Sequence, residues 1–175
     1  MNAEVFIRNL VPEDATAVWQ LGHQAFDWPS EQFLFDESAV HWFVDHAAEA
    51  SFVAIHHDRI IGFILCRTRE KFGFVSWITV NASWRGQGNE GQLMQRALSV
   101  LRAAGIEQVT AFVREDHSAD RLFERCGFHN PELRKLDLVI KLTGTPQQVS
   151  NFGADHLGTV PQEFGDASRK HSNHR

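Results

Sequence analysis

The sequence predicts an α/β domain of the α+β kind: a mixed, twisted central sheet flanked by helices on both faces. Three observations predict it. The β-rich runs "SFVAIHHD", "RIIGFILCR" and "FGFVSWITV" follow one another between residues 51 and 80 and read as an antiparallel meander. Next, "ITVNASWRGQG" leads through a glycine loop into an apolar-periodic helix, a strand–loop–helix unit. Further on, a strand and a short helix precede "LRKLDLVIKL". There Leu136, Leu138, Ile140 and Leu142 alternate with Lys135, Asp137 and Lys141, the period of a half-exposed strand.

The remaining elements follow in order. "EVFIRNL" is a first strand. Pro12 opens a helix that continues through "EDATAVWQLGHQAF", with Ala15, Val18, Trp19 and Gly22 on one stripe. "DWPSEQF" interrupts it, and "DESAVHWFVDHAAEA" gives a second helix capped by Asp36 or Ser38. The first two runs of the meander form a hairpin joined at Asp58 and Arg59, and the adjacent His56 and His57 point to opposite faces of a strand. Leu93, Met94, Ala97, Leu98 and Leu101 mark a helix over residues 90–103 that stops near Gly105. "QVTAFV" is a strand, and residues 118–126 form a helix with Ala119, Leu122, Phe123 and Cys126 on one face and Gly127 as its stop. The order is β-α-α-β-β-β-α-β-α-β. Residues 1–142 make one domain. Residues 143–175, rich in Gly, Pro, Gln, Ser and His, make a C-terminal tail, partly ordered or flexible, that Val149, Phe152, Leu157, Val160 and Phe164 would dock.

Composition narrows the function. A chain of 175 residues is the size of one domain. Its net charge of -5 argues against nucleic-acid binding through a general basic surface and leaves room for a local basic pocket. Cys66 and Cys126 make neither a disulfide framework nor a metal site, and the ten histidines lack ligand spacing, so no metal is expected. "MNAEVFIRNL" lacks the basic start and apolar core of a leader, and "IIGFIL" is too short to cross a bilayer. A cytoplasmic protein without membrane or nucleic-acid partners is the expectation.

The glycine loop carries the chemistry. Gly86-x-Gly88-x-x-Gly91 has the spacing of a dinucleotide fingerprint, and both readings of the loop place an anion at a helix N-terminus. In a dinucleotide fold the strand runs almost directly into the first glycine. Here the five residues "NASWR" intervene, about eighty residues precede the loop and only two strands follow it. The acidic pair Glu115 and Asp116 after the next strand is the one feature in favour of that reading.

Read from Arg85, the same loop resembles the Arg-Gly-x-Gly pyrophosphate loop of the GNAT acetyltransferase family. "REDHSADRLFERCGF" is similar to that family's Asn-x-x-Ala-x-x-x-Tyr-Glu-x-x-Gly-Phe segment, with Ala119, Glu124, Gly127 and Phe128 in the matching places. Together with the element order, the resemblance covers about residues 4–142. It implies a GNAT-like domain that uses acetyl-CoA as acetyl donor and takes a small-molecule or peptide amine as acceptor, by direct attack in a ternary complex. Arg85, Gly86, Gln87, Gly88, Asn89 and Gly91 would hold the pyrophosphate. The pantetheine arm would lie along Ile78, Thr79 and Val80, where neighbouring parallel strands splay at a bulge, with the Ile78 N–H on the thioester oxygen. Asp116 stands at the family's asparagine near the pantetheine and would contact the cofactor or act as base; it would equally cap the next helix. A homodimer is compatible with the resemblance.

The chain departs from the family pattern in three ways. Glu90 replaces a glycine or alanine, and Asn89 with Gln92 also reads as a self-capped helix start. Phe123 occupies the place of the tyrosine that protonates the leaving thiolate, beside the cofactor, and the chain has no tyrosine. Phe74 and Ala111 stand where relatives often carry a glutamate base. With no dedicated base the rate would follow the neutral fraction of the amine. The same departures support a second expectation, a non-catalytic module that binds an acyl-CoA or a protein partner. On the acceptor side, Phe26, Trp28, Phe33, Phe35, Trp42 and Phe43 stand among Asp27, Glu31, Asp36 and Glu37, which suits an amine with an apolar part.

Overall fold

A computed structural model describes residues 4–26, 35–112, 120–129 and 137–141. Six strands, β1 (Phe6–Asn9), β2 (Phe52–His56), β3 (Arg59–Arg69), β4 (Phe72–Val80), β5 (Gln108–Phe112) and β6 (Asp137–Lys141), form one sheet in sequence order. Every neighbouring pair is antiparallel except β4 and β5, which are parallel. The parallel pair is bridged by α3 (Asn89–Ala103), as a parallel connection requires. The mixed sheet predicted from the sequence is the one observed. The predicted tail, residues 143–175, lies outside the described residues.

Two apolar layers sandwich the sheet. On one face, Leu93, Met94, Ala97, Leu98 and Leu101 of α3, with Phe123 of α4 (Asp120–Arg125), pack against Phe52, Ala54, Ile64, Val75, Val80 and Val109. On the other, Ala15, Val18 and Leu21 of α1 (Ala15–Ala25), with Val40 and Phe43 of α2 (Glu37–His46), pack against Val53, Phe63 and Leu65. None of the helices among the described residues is long and apolar enough to cross a membrane.

Local chemistry explains where the elements begin. Pro12–Asp14 forms a 3-10 turn rather than the start of the helix. Asp14 holds that turn: its carboxylate accepts from the Val11 N–H at 3.0 Å and from two Arg8 nitrogens at 2.6 and 2.8 Å. Asp36, not Ser38, caps α2, its Oδ1 accepting from the Ala39 N–H at 2.7 Å. The β2–β3 turn corrects the expected junction: His57 and Asp58 are its central residues, both at positive φ (43° and 63°) as a two-residue hairpin turn needs. His57 therefore leaves the strand, and its ring lies 3.9 Å from that of His56 instead of on the opposite face.

One irregularity positions the site. Leu65 pairs with Trp77 but Cys66 pairs with Val75, so Ser76 is an extra residue in β4. Such a bulge flips the side-chain alternation beyond it. Before it Val75 faces α3; after it Trp77 faces α1, while Ile78 and Val80 return to the α3 face. Among the described residues the parallel pairing with β5 runs to the same place, Val75 and Ala111.

Candidate active site

Beyond Ser76, β4 keeps its pairing with β3 on one side and, among the described residues, has no β5 partner on the other. The Asn81 N–H donates to the Ile61 carbonyl at 2.7 Å, which makes residues 61 and 81 a hydrogen-bonded pair. In an antiparallel ladder such pairs alternate. Thr79 and Trp77 thus turn their backbone groups toward β3, and Ile78 and Val80 turn theirs toward the gap beside β5. The Val80 carbonyl is taken by the Arg85 Nε at 2.8 Å. Left in the gap are the N–H groups of Ile78 and Val80 and the Ile78 carbonyl. Of the three strand-end residues expected along the pantetheine, Thr79 does not offer its backbone to that side.

The loop that follows is built by its own polar groups. Asn81 Oδ1 accepts from the Ser83 N–H at 3.1 Å and starts a 3-10 turn over Ala82–Trp84. Gln87 donates through Nε2 to the Ser83 carbonyl at 3.0 Å. Trp84 anchors the loop against the core and lies 4.5 Å from the His56 ring. Gly86 and Gly88 both adopt left-handed backbone, φ 73° and 87°, and a Cβ on either would meet open space. Their glycine identity is thus a conformational requirement, and the same bareness lets an anion come close.

Gly88, rather than Asn89, occupies the cap position of α3, and the first helical bond runs from the Gln92 N–H to the Gly88 carbonyl at 3.0 Å. The expected self-capped start is corrected here. The Asn89 side chain, 3% exposed, reaches back and donates to the Trp84 carbonyl at 2.9 Å. It braces the loop and leaves the helix end uncapped. Among the described residues no backbone N–H from 86 to 91 finds an acceptor. Six adjacent donors at the positive end of a 15-residue helix make a cradle for a doubly charged anion. Gly91 has open space around it, and Glu90, half-buried, puts a carboxylate in the first turn of the same helix.

Other expected residues fall elsewhere. Phe123 is 3% exposed, packed edge-on to Phe128 with ring centroids 5.3 Å apart. Its ring is part of the core. Asp116, with Glu115 and His117, lies outside the described residues. Cys126 is half-buried, and burial raises its thiol above the ordinary value against the opposing pull of Arg125, so it stays protonated near neutrality. Opposite the gap, on the α1 face, Trp77 touches Phe26 and Phe35 at centroid distances of 5.1 and 4.9 Å. Phe35 stacks flat on Phe63 at 5.6 Å. Phe26 and Phe35 were expected on the acceptor side; sequence reasoning missed Phe63 and Trp77, and Trp77 reaches the α1 face only because of the bulge.

A mixed sheet whose parallel pair is followed by a glycine loop with free backbone N–H groups at the start of α3 defines an α/β domain with room for an anion at that helix end. The sequence pattern of the acetyltransferase (GNAT) family matches residues 15–128, and the chain belongs to that family. It is 32% identical over 93 residues to N-alpha-acetyltransferase 30 of Schizosaccharomyces pombe, covering 50% of this chain and 62% of that protein. It is 30% identical over 81 residues to the ribosomal protein bS18-alanine N-acetyltransferase of Haemophilus influenzae, covering 46% of this chain and 56% of that protein. The chain thus spans less than two thirds of the length of these curated relatives. Among solved structures, the NatC complex bound to Gag peptide and coenzyme A shares the fold, with TM-score 0.68 at 18% identity over 80% of this chain and 99% of that one.

Proposed function

We propose that this chain is an N-acetyltransferase that moves the acetyl group of acetyl-CoA to a primary amine by direct attack, with an α-amino group as the preferred acceptor. The observation that carries the reading is the row of backbone N–H groups at residues 86–91 that find no acceptor among the described residues, next to the edge of β4 at Ile78 and Val80, which has no strand partner among them. The loop donors and the α3 dipole take the pyrophosphate, and the β4 edge takes the pantetheine amides as a strand would. The Ile78 N–H then points at the thioester oxygen, where it stabilises the charge that grows as the amine adds to the carbonyl carbon. The helices α3 and α4 cover the donor face, so the amine comes from the face of α1 and α2. A coenzyme thiol with pKa near ~8.5 leaves as thiolate without help from the buried Phe123, and water protonates it.

The α-amino preference rests on charge. No carboxylate stands at Phe74 or Ala111 to deprotonate an ammonium. An α-amino group, pKa ~7.7–8.0, offers over two decades more neutral amine at pH 7 than a lysine side chain near ~10.4. The relatives named for N-alpha and ribosomal-alanine acetylation support that choice. A second reading, a module that binds an acyl-CoA without turnover, is favoured by Glu90 in the first turn of α3. Titration with acetyl-CoA by calorimetry, followed by mass analysis of peptides with free and blocked α-amines, separates them. Binding with acetylation of the free α-amine supports the first reading, binding without acetylation of any amine the second. Absence of binding defeats both.

A further inference from the structure

The cover provided by α1 and α2 ends at Leu65 and Trp77. Past these residues the same face of the sheet presents Arg67 and Arg69 from β3, Phe74 from β4 and Thr110 from β5. The registers Arg67 with Phe74 and Phe74 with Thr110 put them side by side, because the intervening Val75, Val109 and Ala111 face α3. Arg67 lies over the Phe74 ring, its guanidinium carbon 4.8 Å from the centroid. Such a stack fixes the plane of the group while leaving its edge donors free. Both arginines are exposed, and neither has an ion-pair partner among the described residues. In a chain with 22 acidic and 17 basic residues, two unpaired guanidiniums on one face run against the balance of charge.

We propose that Arg67, stacked on Phe74 and seconded by Arg69, selects acceptors that carry a carboxylate: peptide N-termini whose third or fourth residue is acidic. The inference rests on the acetyltransferase reading above. Geometry sets the position. Phe74 precedes Ile78 by four residues, and at ~3.3 Å per residue with one lost to the bulge that is roughly 10–13 Å along the strand. An extended peptide whose amine sits at the thioester covers the same distance by its third or fourth residue. The guanidinium fork then meets a carboxylate side on, the arrangement in which arginine discriminates best.

The test uses the full chain and peptides that differ only at the third and fourth residues, which are both Glu, both Gln or both Lys. The expected order of kcat/KM is Glu, then Gln, then Lys, with Glu about tenfold or more above Lys at low salt and the gap narrowing at high salt. Arg67→Glu should invert the order, and Arg67→Lys should keep it with a smaller spread. Equal turnover of the three peptides by the wild type, or an unchanged order in Arg67→Glu, overturns the inference and leaves the acetyltransferase reading standing. If acetyl-CoA binds the wild type but no peptide is acetylated, the acetyltransferase reading itself falls and takes this inference with it.

Discussion

The two faces of β4 are built from different materials. On the α3 face the candidate donor site is backbone: strand-edge groups at Ile78 and Val80, then N–H groups of residues 86–91 held open by two left-handed glycines. On the α1 face the candidate acceptor side is made of rings, with Phe26, Phe35, Phe63 and Trp77 in mutual contact. A backbone site depends on φ and ψ and on bare Cα atoms, so it tolerates changes in side chains but not in glycines. A ring site depends on volume, so it can change its choice of acceptor without disturbing the donor. Substitutions on the two sides should therefore fail in different ways.

The largest effect is expected at Gly88. An Asp there must adopt φ near 87° and adds a carboxylate where phosphate oxygens approach. Gly88→Asp should weaken acetyl-CoA by about a hundredfold or more in calorimetry, since like charges and lost approach act together. The fold, followed by circular dichroism, should survive, because the added side chain points into open space. Retained affinity would mean that the phosphates bind elsewhere.

Gly22 is the matching test on the ring side. Within α1, Gly→Ala ordinarily stabilises by ~1 kcal/mol. Here the added Cβ would lie 2.1 Å from Cε1 of Phe35, which is 3% exposed. Overpacking costs ~1–3 kcal/mol, so the net sign should be a loss of stability in thermal melts. Acetyl-CoA affinity should hold, since the donor loop is on the other face. A stabilised Gly22→Ala would show that Phe35 can leave its place against Phe63 and Trp77.

These contrasts also explain what could be read in advance. The meander, the glycine loop and the helix after it were legible, because alternation and the 3.6-residue period survive in "RIIGFILCR" and "LMQRALSVL". So was the left-handed backbone of the loop, since glycine at 86 and 88 is the residue type that positive φ favours. The bulge was legible only through the family resemblance and not at Ser76. In "FGFVSWITV" apolar residues serve both faces, and an extra residue leaves no gap in the pattern. Asn89 read as a cap because its type suits one, while its actual acceptor, the Trp84 carbonyl, is set by the fold of the loop. The edge-on contact of Phe123 with Phe128 is a matter of packing that spacing does not encode. The turn at His57 and Asp58 was misplaced by one residue, as neither carries the glycine that usually marks positive φ.

A smaller effect sharpens the entry to the acceptor side. Asp36 fixes the start of α2 through its bond to the Ala39 N–H. Asp36→Ala should cost ~1 kcal/mol in denaturant unfolding, the usual worth of a cap. It should raise KM for the peptide more than it weakens acetyl-CoA, because α2 follows the segment between the helices. An equal loss for both ligands would show that the two faces are coupled through the sheet.

The smallest effect tests the donor side from within. Glu90 sits in the first turn of α3, where a carboxylate favours the helix dipole and opposes a pyrophosphate at the same donors. Glu90→Gln should therefore act in opposite directions on two measurements. The thermal midpoint should fall slightly, reflecting ~0.3–1 kcal/mol of lost dipole interaction. Acetyl-CoA should bind a few-fold tighter at low ionic strength, by ~0.5–1 kcal/mol, and the gain should shrink as salt screens the half-buried charge. Both sides of this forecast can fail separately. A lower midpoint with no gain in affinity would place the Glu90 carboxylate away from the phosphates, with Gly91 rather than residue 90 facing them. A tighter complex whose gain ignores salt would point to a change in loop shape instead of charge. Only opposed shifts, with the affinity gain fading in salt, fit a carboxylate that stabilises the helix while it repels the ligand bound at that helix's end.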